Sequence, residues 1–223
     1  MPQQPSVSRP YPRTISAAGT HELVIKKSRF LCTLERAATE DEARAAIEAV
    51  RKRHWDANHN CSAYRVGPEG RFQRTSDDGE PAGTAGVPML AVLTKRDLTD
   101  TVAIVTRWFG GVLLGAGRLI RAYGQAVSQA VDAVGIVERR PVALVAVDVD
   151  YSDAGRLENA LRTTDFQLGP VRHGAQATYE VHLNDEDVPA FERWLAETTN
   201  GRCQARVEGY VEVEVPVASS GEE

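Results

Sequence analysis

Two glycine-punctuated loops, one on each side of a strand-like segment, restrict this chain more than any other part of it. The first reads Arg74-Thr75-Ser76-Asp77-Asp78-Gly79-Glu80-Pro81-Ala82-Gly83-Thr84-Ala85-Gly86-Val87-Pro88. The second reads Val105-Thr106-Arg107-Trp108-Phe109-Gly110-Gly111-Val112-Leu113-Leu114-Gly115-Ala116-Gly117 and runs into a helix-like stretch at residues 118–134. Connections in compact domains are usually short, and long glycine-rich ones are functional or disordered. Apolar residues interrupt both loops, which is not a disordered composition. Glycine permits φ > 0 and close approach of the backbone to another group. One loop carries three carboxylates (Asp77, Asp78, Glu80) and the other carries Arg107, so the pair reads as a built surface.

The motif from Asp77 to Gly86, followed by Arg107-Trp108-Phe109-Gly110-Gly111 and Leu114-Gly115-Ala116-Gly117, resembles the IMPACT family in its bacterial two-domain, YigZ-type form. Lys26-Lys27-Ser28-Arg29-Phe30 and His59-Asn60-Cys61-Ser62-Ala63-Tyr64 match in the same order, and the resemblance covers residues 19–217. Arg118 departs from it, standing where the bacterial proteins usually have glycine. The resemblance implies an α+β protein. Its first domain is an IMPACT-type α/β domain with a ribosomal-protein-like two-layer fold. Its second is ferredoxin-like and similar to the last domain of elongation factor G. It also implies a regulator connected to translation. Members of the eukaryotic branch bind a partner in the pathway that controls initiation under amino-acid stress.

A chain of 223 residues holds one large or two small domains. No apolar run reaches the ~20 residues of a membrane span, and residues 1–13 lack the apolar core of a signal peptide. Cys32, Cys61 and Cys203 are odd in number and widely spaced, which argues for a reducing, cytoplasmic setting and against a disulfide framework or structural zinc. The net charge of −5 hides an asymmetry: residues 1–140 carry 20 basic and 15 acidic groups, residues 141–223 carry 6 and 16. Two readings stay open, a different partner for each half or a solvated acidic domain that aids solubility.

Residues 1–18 read as a disordered arm. Strands are expected at 21–27 and 28–35, then a helix opened by a Thr39/Glu42 capping box, with Ala43, Ala46, Ile47 and Val50 on one face. A hairpin follows at 60–66 and 71–75, a short helix at 87–95 with Pro88 in its first turn, and a strand at 101–106. The long helix places Ile120, Tyr123, Val127, Val131 and Val134 on one face and ends at Gly135. The first domain is expected over 19–138, with the boundary at Arg139-Arg140-Pro141. The second, over 141–217, reads βαββαβ, the ferredoxin-like order. Ser152 or Asp153 is expected to cap its first helix and Asn184 or Asp185 its second. Residues 218–223 should fray.

Asp77, Asp78 and Glu80 are the sharpest acidic cluster, yet Asp-Gly and Glu-Pro are also turn chemistry, and no EF-hand spacing marks a metal site. His54, His59 and Cys61 fall short of the three or four ligands zinc takes. Cys61 reads as a packed small side chain rather than a nucleophile. Arg107, Gly110, Gly111, Gly115 and Gly117, with Arg118 and Arg121 in the first helical turns, form the best anion-binding candidate, since a glycine loop entering a helix N-terminus suits phosphate or carboxylate. The alternative is packing of this loop on the acidic one, with Arg107 paired to Asp77 or Asp78. Lys26, Lys27, Arg29, Arg65, Arg71 and Arg74 are candidate phosphate contacts, and Trp108 a stacking platform. No catalytic residue, metal or cofactor is assigned.

Two functions are open. One is a non-catalytic protein that binds RNA, a ribosomal assembly or a translation-associated protein, without DNA specificity. The other is an enzyme acting on a small phosphate- or carboxylate-bearing substrate at the junction of the two loops. Oligomeric state and base preference are not encoded in any motif.

Overall fold

Alternation from Gly19 onward becomes the hairpin that starts the larger sheet. In the computed structural model, which describes residues 11–217, the elements of the first half are β1 (Arg13–Ile15), β2 (Gly19–Ile25), β3 (Ser28–Arg36), α1 (Glu40–Arg53), β4 (His59–Val66), β5 (Phe72–Ser76), α2 (Gly86–Lys95), β6 (Thr101–Trp108) and α3 (Ala116–Val134). The sheet runs β2-β3-β6-β4-β5, antiparallel throughout.

The central strands are clothed on both sides. Cys61, Ala63, Ala103 and Val105 face α2 and α3, while Tyr64, Val66, Val102 and Ile104 face α1. This explains the unbroken apolar run Val102-Ala103-Ile104-Val105, since a strand buried on both faces loses its polar alternation.

Thr39 caps α1, its hydroxyl accepting from the Glu42 amide at 3.2 Å. The Glu42 carboxylate accepts from the amide of Ala38 at 2.7 Å, one residue before the cap. Thr39→Ala should destabilise the first unit by about 1 kcal/mol. The check is a lower urea midpoint with an unchanged m-value; an unmoved midpoint would show the cap to be idle.

On α3 the buried stripe is Leu119, Ala122, Tyr123, Ala126, Val127, Ala130 and Val131. Ile120, expected on that face, is exposed. Leu119 and Ile120 both keep helical spacing to Tyr123, at i+4 and i+3, and packing buries the first. Part of the expected arm is ordered: β1 pairs with residues 136–138, and Ile15 is fully buried. The rest of that arm, residues 1–10, and the tail 218–223 lie outside the described residues.

The second half contains β7 (Ile136–Val149), α4 (Tyr151–Arg162), β8 (Gln167–His173), β9 (Ala177–Leu183), α5 (Val188–Thr199) and β10 (Ala205–Pro216). β7 pairs with β9 and with β10, and β9 pairs with β8. This is the ferredoxin-like arrangement expected, with Leu157, Leu161, Phe191 and Leu195 of the two helices packed on Val145, Val147 and Val181 of the sheet. The expected caps are not used: α4 follows Asp150 and α5 follows Asp187, neither with a side-chain cap bond.

The chain divides into two compact units, residues 11–139 with 214–217, and residues 140–213. The chain passes from one to the other inside β7 and again inside β10. None of the helices is long and apolar enough to cross a membrane among the described residues.

Candidate functional site

The acidic loop folds around Asp77. One of its carboxylate oxygens accepts from the amide of Gly83 at 2.7 Å; the other accepts from Ala85 at 3.0 Å and Gly86 at 2.8 Å. Gly86 begins α2, so the anion that a helix N-terminus favours is supplied from within the chain. Desolvation pushes the Asp77 pKa up, but the three amide bonds outweigh it and leave the group below its ordinary value.

Asp78 turns the other way, in a left-handed conformation with φ 44°. Its carboxylate accepts from the Asn60 amide at 2.6 Å and from Arg51 at 3.0 Å. Its carbonyl accepts from His59 Nδ1 at 2.8 Å, which leaves Nε2 as the unprotonated nitrogen of the neutral ring.

Glu80 points inward. It is buried, and Oε1 accepts from Arg107 Nη1 at 2.5 Å and from the Tyr123 hydroxyl at 2.7 Å, with His59 Nε2 4.0 Å away. The three carboxylates therefore diverge, each held by its own donors. Among the described residues, no group of three His, Cys, Asp or Glu side chains is placed to hold a metal ion.

Cys61 lies beneath this loop, its thiol donating to the Asp77 carbonyl at 2.9 Å, with the Tyr123 hydroxyl 3.4 Å away. Burial pushes the thiol up to about 12. At pH 8 the thiolate fraction is then about one in ten thousand, too small for nucleophilic work. In the folded protein Cys61 should stay unmodified by iodoacetamide at pH 8 and react once urea unfolds it, read by mass spectrometry. Rapid labelling of the native protein would reverse that assignment.

Two arginines expected at a ligand surface belong to the interior. Arg107 is 5% exposed, and its guanidinium lies 5.3 Å from the centre of the Phe30 ring and 5.7 Å from that of Phe109. Its carboxylate partner is Glu80, not Asp77 or Asp78. Arg65 is 7% exposed and donates to the carbonyls of Leu98 at 3.0 Å and Glu69 at 3.3 Å. Strand parity is the cause: Arg65 shares a face with Cys61 and Ala63, and Arg107 with Ala103 and Val105, all turned toward α2 and α3.

The remaining basic candidates stay at the surface. Arg29 bonds Glu22 at 2.8 Å and lies 4.8 Å over the half-buried Trp108. Arg74 bonds Glu40 at 3.0 Å. Lys26 and Lys27 form the left-handed turn between β2 and β3, at φ 46° and 68°. Arg71 is exposed beside Phe72.

The second glycine loop has one buried anchor and an open side. A Cβ on Gly110 would collide with the peptide group joining Lys27 to Ser28, so this glycine is a packing requirement. The buried Ser28 hydroxyl accepts from the Gly110 amide at 3.1 Å. Asn58 accepts from the Phe109 amide at 2.7 Å. Beyond this anchor Gly111, Gly115 and Gly117 face open space. Arg118 and Arg121 are exposed beside them, together with Phe109, Val112, Leu113 and Ile120. Sequence reasoning missed Ser28, Asn58 and Tyr123 as parts of this assembly. Ser28 carried a signal inside the basic motif 26–30, Tyr123 one on the apolar face of the long helix, and Asn58 none.

Comparison with known proteins places these residues in a family context. The chain matches the model described as the Impact N-terminal domain over residues 26–131 and a domain of unknown function (DUF1949) over 147–202. It is 48% identical to the IMPACT family member YvyE of Bacillus subtilis over 193 residues, 86% of this chain and 89% of the relative. It is 36% identical to the IMPACT family member YigZ of Escherichia coli over 182 residues, 81% of this chain and 89% of that one. A solved structure described as the crystal structure of an hypothetical protein is 34% identical and covers 90% of this chain and 98% of its own, with a TM-score of 0.56.

Proposed function

This chain belongs to the IMPACT family, and on that premise we propose that it is a cytoplasmic, non-catalytic regulator of translation that binds RNA within a ribosomal assembly. The contact surface in this reading is the open side of the 109–117 loop and the first turns of α3. The observation that carries it is a contrast between two helix N-termini. Asp77 occupies the start of α2. α3 follows Gly115 without a side-chain cap bond and without an acid in its first turn, and exposed Arg118 and Arg121 add positive charge there. Cations at the positive end of a helix dipole oppose its stability, and a bound phosphate offsets both. The exposed ring of Phe109 supplies a face for base stacking.

The enzyme reading is weaker because the carboxylates of the loop junction are already taken by internal donors. Asp77 holds three amides, and Glu80 holds Arg107 and Tyr123. Arg107 is withdrawn from any ligand contact by the same geometry.

Binding of single-stranded RNA, followed against salt concentration, tests the proposal. Arg118→Gly and Arg121→Gln should each weaken binding and make the log–log salt dependence shallower by ~0.7 for every phosphate no longer neutralised. Unchanged affinity and slope in both variants, with the fold intact, would rule this surface out. Salt-insensitive capture of a ribosomal protein, abolished by Leu113→Ser, would make the partner a protein and overturn the RNA assignment.

A further inference from the structure

A polar cavity lies under α1, on the face of the larger sheet turned away from α3. Arg44, Ile47, Glu48 and Arg51 follow the i, i+3, i+4, i+7 spacing along that helix, and all four line it. The sheet supplies Ser62 and Tyr64 from β4, with Arg74 and Ser76 from β5. Register makes these side chains neighbours, because Ser62 pairs with Ser76 and Tyr64 with Arg74. The cavity measures about 230 Å³.

Its chemistry is that of an anion site with a built floor. Ser62 is 5% exposed, and its hydroxyl has no hydrogen-bond partner among the described residues. That hydroxyl is reached from the cavity, so it can donate to or accept from whatever occupies it. Ser76, directly opposite, is likewise without a side-chain bond among the described residues. Three guanidiniums stand around these hydroxyls with Glu48 in the lining, and Arg44 is met by Asp41 at 3.0 Å and Glu40 at 3.7 Å. Arg74 commits Nε to Glu40 at 3.0 Å, and Arg51 holds Glu48 at 3.2 Å and Asp78 at 3.0 Å. A guanidinium has five N–H groups, so donors remain on both.

We propose that this cavity binds a phosphomonoester group. Two hydroxyls and three guanidiniums suit its several oxygens better than a planar carboxylate, which one arginine fork satisfies. Ile47 and the ring of Tyr64 give the wall an apolar part for the organic moiety. The volume lies below the ~300–1,000 Å³ of sites for drug-sized ligands, so the occupant is small or is only the end of a larger molecule. A free phosphorylated metabolite and the 5′-phosphate of an RNA chain share this chemistry. The site is separate from the α3 surface and does not depend on the RNA reading.

The test uses the full chain, titrated with inorganic phosphate and with glycerol 2-phosphate and followed by calorimetry and amide NMR shifts. Saturable shifts are expected at residues 44–51, 62–64 and 74–76 below about 10 mM ligand, corresponding to a millimolar or better Kd. Ser62→Ala, which removes one oxygen, and Arg74→Gln should each weaken binding about tenfold with little change in melting temperature. Arg53→Gln makes the same charge change on the exposed side of α1 and should leave binding unaltered. Paired oligoribonucleotides with a 5′-phosphate or a 5′-hydroxyl separate the sources. Response to glycerol 2-phosphate assigns a metabolite, and response only to the phosphorylated oligonucleotide assigns an RNA end. No saturable shift with any probe, an unaffected Ser62→Ala, or equal weakening by Arg53→Gln overturns the proposal. Arg118→Gly should not change this binding, so failure here and failure of the RNA reading are distinguishable.

Discussion

Arg107→Ala should destabilise the first unit by about 3–5 kcal/mol, the range for breaking a buried ion pair from one side. The pair is buried at both ends, with side chains 6% and 3% exposed. Removing Arg107 leaves the Glu80 carboxylate inside with the Tyr123 hydroxyl as its close donor. It also removes a cation from over the Phe30 ring. For a domain of this size the loss corresponds to a fall in melting temperature on the order of 10 °C. The pair is not perfectly satisfied, because Nε of Arg107 is buried without a partner among the described residues. A neutral substitute should therefore recover much of the loss. Arg107→Met combined with Glu80→Gln keeps an acceptor for Tyr123 while removing both charges, and should regain at least half of the deficit. Urea unfolding of the two single variants and the double closes the cycle. An Arg107→Ala protein within about 1 kcal/mol of the parent would show that the pair contributes nothing net.

The correction at Arg107 shows where sequence reasoning stopped. The existence and order of the strands and helices were readable because period-two and 3.6-residue patterns survive in both halves, from β2 to β10. Arg65 and Arg107 were read as surface groups because charge usually means exposure. Their parity with Cys61, Ala63 and Val105 already placed them on an inward face. What parity cannot supply is the partner. Asp77, Asp78 and Glu80 are close in sequence, and only the left-handed turn at Asp78 and Gly79 sends them in three directions. The same limit applies to Ser62, an ordinary strand residue in sequence whose unpartnered hydroxyl emerges only when α1 is laid over the sheet. On α3, Leu119 and Ile120 are adjacent apolar residues, and packing rather than pattern decided which is buried.

Asp77→Ala is expected to cost the first unit about 2–3 kcal/mol at pH 7. Three amides, those of Gly83, Ala85 and Gly86, lose their acceptor together. Each unpaired buried group costs about 1–3 kcal/mol, and partial solvent exposure of this loop reduces the sum. The start of α2 also loses its anion, worth roughly 0.3–1 kcal/mol. The carboxyl's pKa is depressed in the folded state. Its contribution is therefore fully present above the unfolded value of about 3.9, and disappears as pH falls through the lower folded value. The parent should lose stability below about pH 4 more steeply than either variant at this position. Asp77→Asn keeps one oxygen for Ala85 and Gly86 but turns an NH₂ toward Gly83, or the reverse. It should fall between parent and alanine at pH 7, and its acid slope should match that of the alanine variant. Urea midpoints at pH 7 and pH 3 for the three proteins decide the matter. A parent whose acid slope equals that of both variants would remove Asp77 as the organiser of the loop, and the ordering of residues 77–86 would then rest on Glu80 and Arg107.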